Sequence, residues 1–227
     1  MKQKISLFLL FAFYFEVFAH NRVSIIPYPQ QVEIQQGFFT FDKCTSLSFD
    51  RKNKVLQSAV KPLVEKFKTV SSFDLLNPIC RNAPAIQIVL DSKMPEEGYQ
   101  LSISNKKVLI KARQSAGVFY AMQSILQLLP PEIQQNTSVS NVKWQIPCLV
   151  MNVKPAFEYR GLMLDGARHY MPMANIKKMI DVLAMQKMNR FHWHLTDMSW
   201  HRRVIWLQSE RKSGSLSNKR KACASID

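Results

Sequence analysis

Two short apolar runs, each leading into a carboxylate, constrain this chain more than any other feature. The first is Gly161-Leu162-Met163-Leu164-Asp165, and the second runs from Asn189 through Phe191-His192-Trp193-His194 to Leu195, with Asp197 two residues on. Between them Ile176, Met179, Ile180 and Leu183 recur at helical spacing, with Lys177, Lys178 and Asp181 on the opposite face. Pro172 stands where a first-turn proline belongs. Strand, helix and strand in that order predict one parallel βαβ unit with a right-handed crossover. Gly161 to Leu164 is continuously apolar and is predicted to be buried on both faces. Met171, Met173, Met179, Met185 and Met188 are read as core filler for the same unit.

The residues before this unit carry the pattern of a separate domain. Ile25-Ile26-Pro27-Tyr28-Pro29 leads into strand-like alternation through Val32, Ile34, Phe39 and Phe41 around Gly37. Val55, Leu56, Ala59, Val60, Leu63, Val64 and Phe67 predict a helix with one buried face, which Pro62 should kink or start late. Ile86, Ile88 and Leu90 form another alternating run. Tyr99, Leu101 and Ile103, a turn at Asn105-Lys106-Lys107, and Val108-Leu109-Ile110 predict an antiparallel hairpin. A second helix spans about Gln114 to Leu129, with Val118, Met122, Ile125 and Leu129 on one face and Pro130-Pro131 stopping it. Trp144 to Val150 returns as a strand. The expected organisation is an α+β N-terminal domain, an antiparallel sheet with helices, over residues 20–152, followed by a β-α-β unit over 153–197.

The first nineteen residues have the layout of a secretory signal peptide. Lys2 and Lys4 precede an apolar stretch from Ile5 to Phe18, and Ala19 precedes a cut at His20. Glu16 and the shortness of the stretch argue against a membrane span, so no stable span is expected after cleavage. A retained anchor is the alternative. The expected location is exported: periplasmic, cell-surface or extracellular, or lysosomal in a eukaryote. Cys44, Cys80, Cys148 and Cys223 show no metal-like spacing. Cys44 with Cys80 is the least strained pairing to guess, and the sequence leaves the pairing open. Asn136-Thr137-Ser138 is a glycosylation sequon, meaningful in a eukaryotic source.

A formal charge of +15 raises nucleic acid as a partner. Residues 198–227 hold seven Lys or Arg against Glu210 and Asp227, so 7 − 2 = +5 of the excess lies there. The remainder is scattered among apolar periodic segments, without a stripe of Arg and aromatics, and no nucleic-acid partner is predicted.

Beyond these patterns, particular residues resemble a known family. Ile26-Pro27-Tyr28-Pro29, Gly117-Val118-Phe119-Tyr120-Ala121-Met122-Gln123, and Tyr159-Arg160-Gly161-Leu162-Met163-Leu164-Asp165 with Arg168-His169-Tyr170 are three of the matching segments. Lys187-Met188-Asn189-Arg190-Phe191-His192-Trp193-His194-Leu195-Thr196-Asp197 completes them. Together they resemble the N-terminal part of a family 20 glycoside hydrolase, a β-N-acetylhexosaminidase. The resemblance implies an α+β domain packed on a (β/α)₈ TIM barrel, of which this chain shows the first unit. It implies removal of terminal N-acetylglucosamine or N-acetylgalactosamine from N-acetylhexosamine-containing glycans.

In that family the substrate's acetamido oxygen attacks the anomeric carbon. An Asp orients the acetamido group, and the adjacent Glu protonates the leaving oxygen. No Asp-Glu dipeptide occurs in these 227 residues. The resemblance assigns substrate binding to Arg160 and Asp197, with Asp165, Arg168, His169 and His194 in support. A structural pairing of Arg160 with Asp165 is the competing reading for that arginine. His192 and His194 share one strand face, a spacing that can bind zinc, but no third ligand is evident. The resemblance accounts for both as barrel-lining groups, so no metal and no cofactor is predicted.

The chain also departs from the family. Val153 and Ala156 stand where Asp and Arg are common, and Met198 replaces a second Asp. After Asp197 the family pattern gives way to a basic, Ser-rich run over 198–227, predicted to lack regular structure. Such a loss of pattern is what a reading-frame shift, an altered splice or a fragmentary gene model produces, with a genuine tail as the alternative. Two strands and one helix cannot close a barrel of about 250 residues. The expectation is therefore a hexosaminidase by descent whose 227 residues are inactive alone. The competing class is a secreted, non-catalytic module that binds glycans or another protein through the α+β domain.

Overall fold

The computed structural model describes residues 23–80, 85–167 and 170–195. The expected signal peptide over 1–19 and the basic tail over 198–227 lie outside them. Six strands form one sheet: β1 (Gln31–Thr40), β2 (Ser46–Ser48), β3 (Ala85–Leu90), β4 (Tyr99–Ile103), β5 (Lys107–Ala112) and β6 (Gln145–Val153). Their order across the sheet is β1-β6-β4-β5-β3-β2. β4 and β5 make the antiparallel hairpin that their alternation predicts, and β6 lies antiparallel between β1 and β4. The sheet is nevertheless mixed, because β3 pairs parallel with β5 and β2 parallel with β3. Alternation along a strand specifies which face is buried but not which neighbour it takes. Gly37 supplies a φ of +99° where the β1–β6 register shifts between Ile34 and Phe38.

Helix α1 (Lys54–Lys66) starts where Asn53 Oδ1 accepts from the amides of Val55 and Leu56, at 3.0 and 3.2 Å. Pro62 neither delays its start nor ends it, and the helix continues into a π-helical turn at Phe67–Ser71. Leu56, Ala59, Val60 and Leu63 face inward and meet helix α2 (Ser115–Leu128), so both helices pack on the sheet around a single core. The Tyr99 hydroxyl bonds Ser124 Oγ inside that core and ties β4 to α2. A disulfide joins Cys44 to Cys80 and clips the loop after β1 to the segment before β3.

The second unit is β7 (Gly161–Asp165), α3 (Met173–Met185) and β8 (Arg190–His194), with β7 and β8 parallel. The expected burial of β7 on both faces is not found. Leu164 is buried, but Leu162 and Met163 are 37% and 56% exposed. Among the described residues each strand has one hydrogen-bonded neighbour, and the apolar side chains of both strands, Leu164 apart, are only partly covered. For the same reason the methionines do not act as core filler: Met173 is 54% exposed, and Met171, Met179, Met185 and Met188 are half-buried. Ile176 and Leu183 are the buried apolar positions of α3. Among the described residues no helix is long and apolar enough to cross a membrane.

Candidate functional site

β7 and β8 have two ends with different chemistry. At the exits, residue-for-residue pairing sets Asp165 opposite His194. Asp165 Oδ1 lies 3.3 Å from His194 Nδ1 and accepts from the Ala167 amide at 3.1 Å. The Gly166 amide donates to the His194 carbonyl at 2.8 Å, extending the strand pairing past the carboxylate. Both side chains remain partly open to solvent. A carboxylate against Nδ1 fixes the imidazole's orientation and favours the tautomer with its proton there. The structure thus joins two of the predicted supporting residues. Arg168, His169 and Asp197 lie outside the described residues. No group of three or more His, Cys, Asp or Glu among those described could hold a metal ion.

At the entrances stands Arg160, which the sequence reading gave to the sugar. Its side chain is committed elsewhere. Nε donates to the Lys187 carbonyl at 3.0 Å and Nη1 to the Phe157 carbonyl at 2.7 Å. Nη2 donates to Glu97 Oε2 at 2.7 Å and to the Tyr120 hydroxyl at 3.2 Å, and the guanidinium lies 5.6 Å from the Tyr120 ring centre. With 17% of its side chain exposed, Arg160 is a contact between the two domains. Arg160 and Asp165 lie five positions apart, about 16 Å along an extended chain. The competing pairing with Asp165 fails on the same geometry, since the partner is Glu97.

Three further residues complete the entrance, and sequence reasoning gave none of them a role. Asn189 Oδ1 accepts from the Arg160 amide at 3.0 Å, while Nδ2 donates to Glu158 O at 2.7 Å and Glu97 Oε2 at 3.2 Å. Lys187 is buried at a φ of 59° and donates from Nζ to Ile26 O at 3.0 Å. Its burial pulls the ammonium pKa down to about 8. Gln127, two turns along α2 from Tyr120, bridges Ile26 and Met185 O through Nε2. The signal that could have found Lys187 and Asn189 is the Lys187-Met188-Asn189-Arg190 segment, whose polar residues immediately precede an apolar strand.

Comparison with known proteins matches both halves of this arrangement. Residues 22–151 match the profile described as glycosyl hydrolase family 20, domain 2, and residues 157–222 match glycosyl hydrolase family 20, catalytic domain. The second match runs past Asp197, where the sequence reading ends the resemblance. A β-hexosaminidase of Porphyromonas gingivalis is 37% identical over 183 residues, 78% of this chain and 23% of that protein. A β-hexosaminidase of Vibrio furnissii is 29% identical over 77% of this chain and 26% of its own length. The chain thus spans about a quarter of these relatives. Among solved structures, the β-N-acetylhexosaminidase of Streptomyces coelicolor superposes with a TM-score of 0.69 at 25% identity, covering 76% of this chain and 35% of that one. An exo-β-N-acetylglucosaminidase of Vibrio harveyi, in complex with N-acetylglucosamine, gives a TM-score of 0.63 at 30% identity, over 76% of this chain and 25% of that one.

Proposed function

The chain belongs to glycosyl hydrolase family 20, and from that premise we propose that it provides the N-terminal domain and first barrel strands of a β-N-acetylhexosaminidase. The reaction is release of terminal N-acetylglucosamine or N-acetylgalactosamine from glycans. It proceeds by attack of the substrate's own acetamido oxygen, with overall retention at the anomeric carbon. The observation that carries this reading is the meeting of Asp165 and His194 at the exits of two parallel strands, the end at which barrel enzymes build their sites. Asp165 holds His194 in a fixed tautomer on the sugar-facing end. Asp197, two residues beyond Leu195, is proposed as a substrate ligand there, with Arg168 and His169 in support. Arg160 is not. The protein acts outside the cytoplasm, a placement supported by the Lys2 to Ala19 leader and by the Cys44–Cys80 bond.

The family's acid and its acetamido-orienting partner form an Asp-Glu pair that these 227 residues do not contain. A polypeptide of these residues alone is therefore proposed to be inactive. The test joins residues 20–195 of this chain to the corresponding remainder of the Porphyromonas gingivalis relative. Chimera and 227-residue chain are then assayed on a chromogenic N-acetyl-β-glucosaminide. The chimera is expected to hydrolyse it and the chain alone is not. A folded chimera without turnover removes the hexosaminidase reading, and turnover by the chain alone removes the claim of inactivity. A non-catalytic module that binds glycans through the α+β domain is the second reading, favoured by Tyr28 and Phe38, which are 57% and 54% exposed. Retention on immobilised glycans without turnover by the chimera would support it.

A further inference from the structure

The turn before β4 carries a carboxylate whose hydrogen bonds run to Arg160 and Asn189 of the second unit. Glu97 sits between Pro95 and Gly98 with a φ of 57°, a left-handed backbone that is unfavourable for a residue with a side chain. The turn lies hard against helix α2. A Cβ on Gly117 would lie 2.3 Å from the Gly98 carbonyl oxygen, so the close approach requires glycine there. This contact puts Glu97 near Tyr120, one turn further along α2, and aims its carboxylate across the domain boundary.

Beyond that boundary Glu97 meets both strand entrances together. Oε2 accepts from Arg160 at 2.7 Å, immediately before β7, and from Asn189 at 3.2 Å, immediately before β8. Those two residues are also bonded to each other through backbone. The Asn189 and Arg190 amides donate to Arg160 O at 2.9 and 3.1 Å, and the Arg160 amide donates to Asn189 Oδ1 at 3.0 Å. One carboxylate thus holds the two residues that immediately precede the first pair of the β7–β8 ladder. Register in a two-stranded parallel sheet with partly covered faces is weakly specified by burial, and a slip of one residue would move every side chain to the other face. The ladder that begins at Gly161↔Arg190 ends at Asp165↔His194.

We propose that Glu97 is a positioning residue: from the N-terminal domain it clamps Arg160 and Asn189 at the entrances of β7 and β8, and so sets the register that brings Asp165 to His194 at their exits. The contribution to an active site rests on the hexosaminidase reading, but the clamp itself does not. It also gives the N-terminal domain a task, as the template on which the first barrel strands align.

The test is amide hydrogen exchange on the 227-residue chain, resolved by segment, with no activity readout. Glu97→Gly removes the carboxylate and suits the left-handed backbone, so β4 and α2 should stay protected. Exchange in 161–165 and 190–194 should then accelerate about tenfold or more, as expected when a charge-assisted contact is lost. Glu97→Gln keeps one acceptor oxygen for Asn189 and should give a smaller acceleration. Adding Arg160→Met to Glu97→Gly should give less than the sum of the two single effects, because both variants delete the Glu97–Arg160 contact while Arg160→Met also gives up the donors to the Lys187 and Phe157 carbonyls. The His194 imidazole resonances should move in Glu97→Gly, since the far end of the ladder slips with the near end. Unchanged exchange in both strands, a fully additive double variant, or an unmoved His194 resonance would each overturn the proposal. Loss of protection in β4 and α2 to the same extent would also overturn it, by showing that Glu97 serves its own domain.

Discussion

At Lys187 the chain takes a left-handed step and carries an ammonium group into a site that is 5% exposed. Desolvation lowers its pKa from 10.5 to about 8. Between those values the unfolded chain binds more protons than the folded one, so this residue makes stability rise as pH rises from 8 toward 10.5. Below pH 8 the full cost applies, about 3 kcal/mol at 1.36 kcal/mol per pH unit. Burial moves the Cys148 thiol and the Tyr99 phenol upward, and both oppose the trend above their unfolded values of 9.0 and 10.0. A difference between wild type and Lys187→Met cancels those two. Urea midpoints should show Lys187→Met more stable than wild type at pH 7.5, with the gap reduced by about half at pH 9.5 and closed only above pH 10.5. Ile26 O keeps Gln127 as a donor in that variant, so no carbonyl is orphaned.

Among the elements, helix α2 organises the molecule. Its residues fill the core on one side, and Tyr120 and Gln127 reach the second unit on the other. Gly117→Ala would drive a methyl into the Gly98 carbonyl and should lower stability by about 2–3 kcal/mol, read from urea unfolding. The helix itself was legible in the spacing of Val118, Met122, Ile125 and Leu129, and Pro130 marked its end. Likewise the β4–β5 hairpin and the β7-α3-β8 unit follow from alternation and helical period. The parallel pairing of β3 with β5 was not legible, because it depends on the path of the chain and not on the residues within either strand. The site divides the same way. Asp165 and His194 were visible as polar residues ending apolar runs. Arg160 was visible as a residue but not in its role, since its partner Glu97 lies 63 residues away in sequence, in a turn with no periodicity.

At the scale of the whole molecule, the Cys44–Cys80 disulfide and a noncovalent seam organise the described residues. The Cys44–Cys80 bond closes a loop across a sequence separation of 36. Replacing both cysteines by serine should cost about 3–4 kcal/mol by the chain-entropy relation, measured as a drop in unfolding free energy under oxidising conditions. The seam runs from Ile26 and Gln127 through Lys187 to Glu97, Arg160 and Asn189, and all of its contacts lie at strand entrances or at the end of α3. Function is assigned to the opposite end. A docking end is thereby separate from the end proposed to face the sugar. The direct test compares Arg160→Gln with Asp165→Asn in the Porphyromonas chimera, taking Tm, kcat and KM for each. Arg160→Gln should lower Tm while the KM of the folded enzyme holds. Asp165→Asn should keep Tm and lower kcat/KM by about a hundredfold, as a displaced reacting geometry does. An Arg160→Gln enzyme with wild-type Tm and a KM raised tenfold or more would contradict that separation, placing the arginine on the sugar after all.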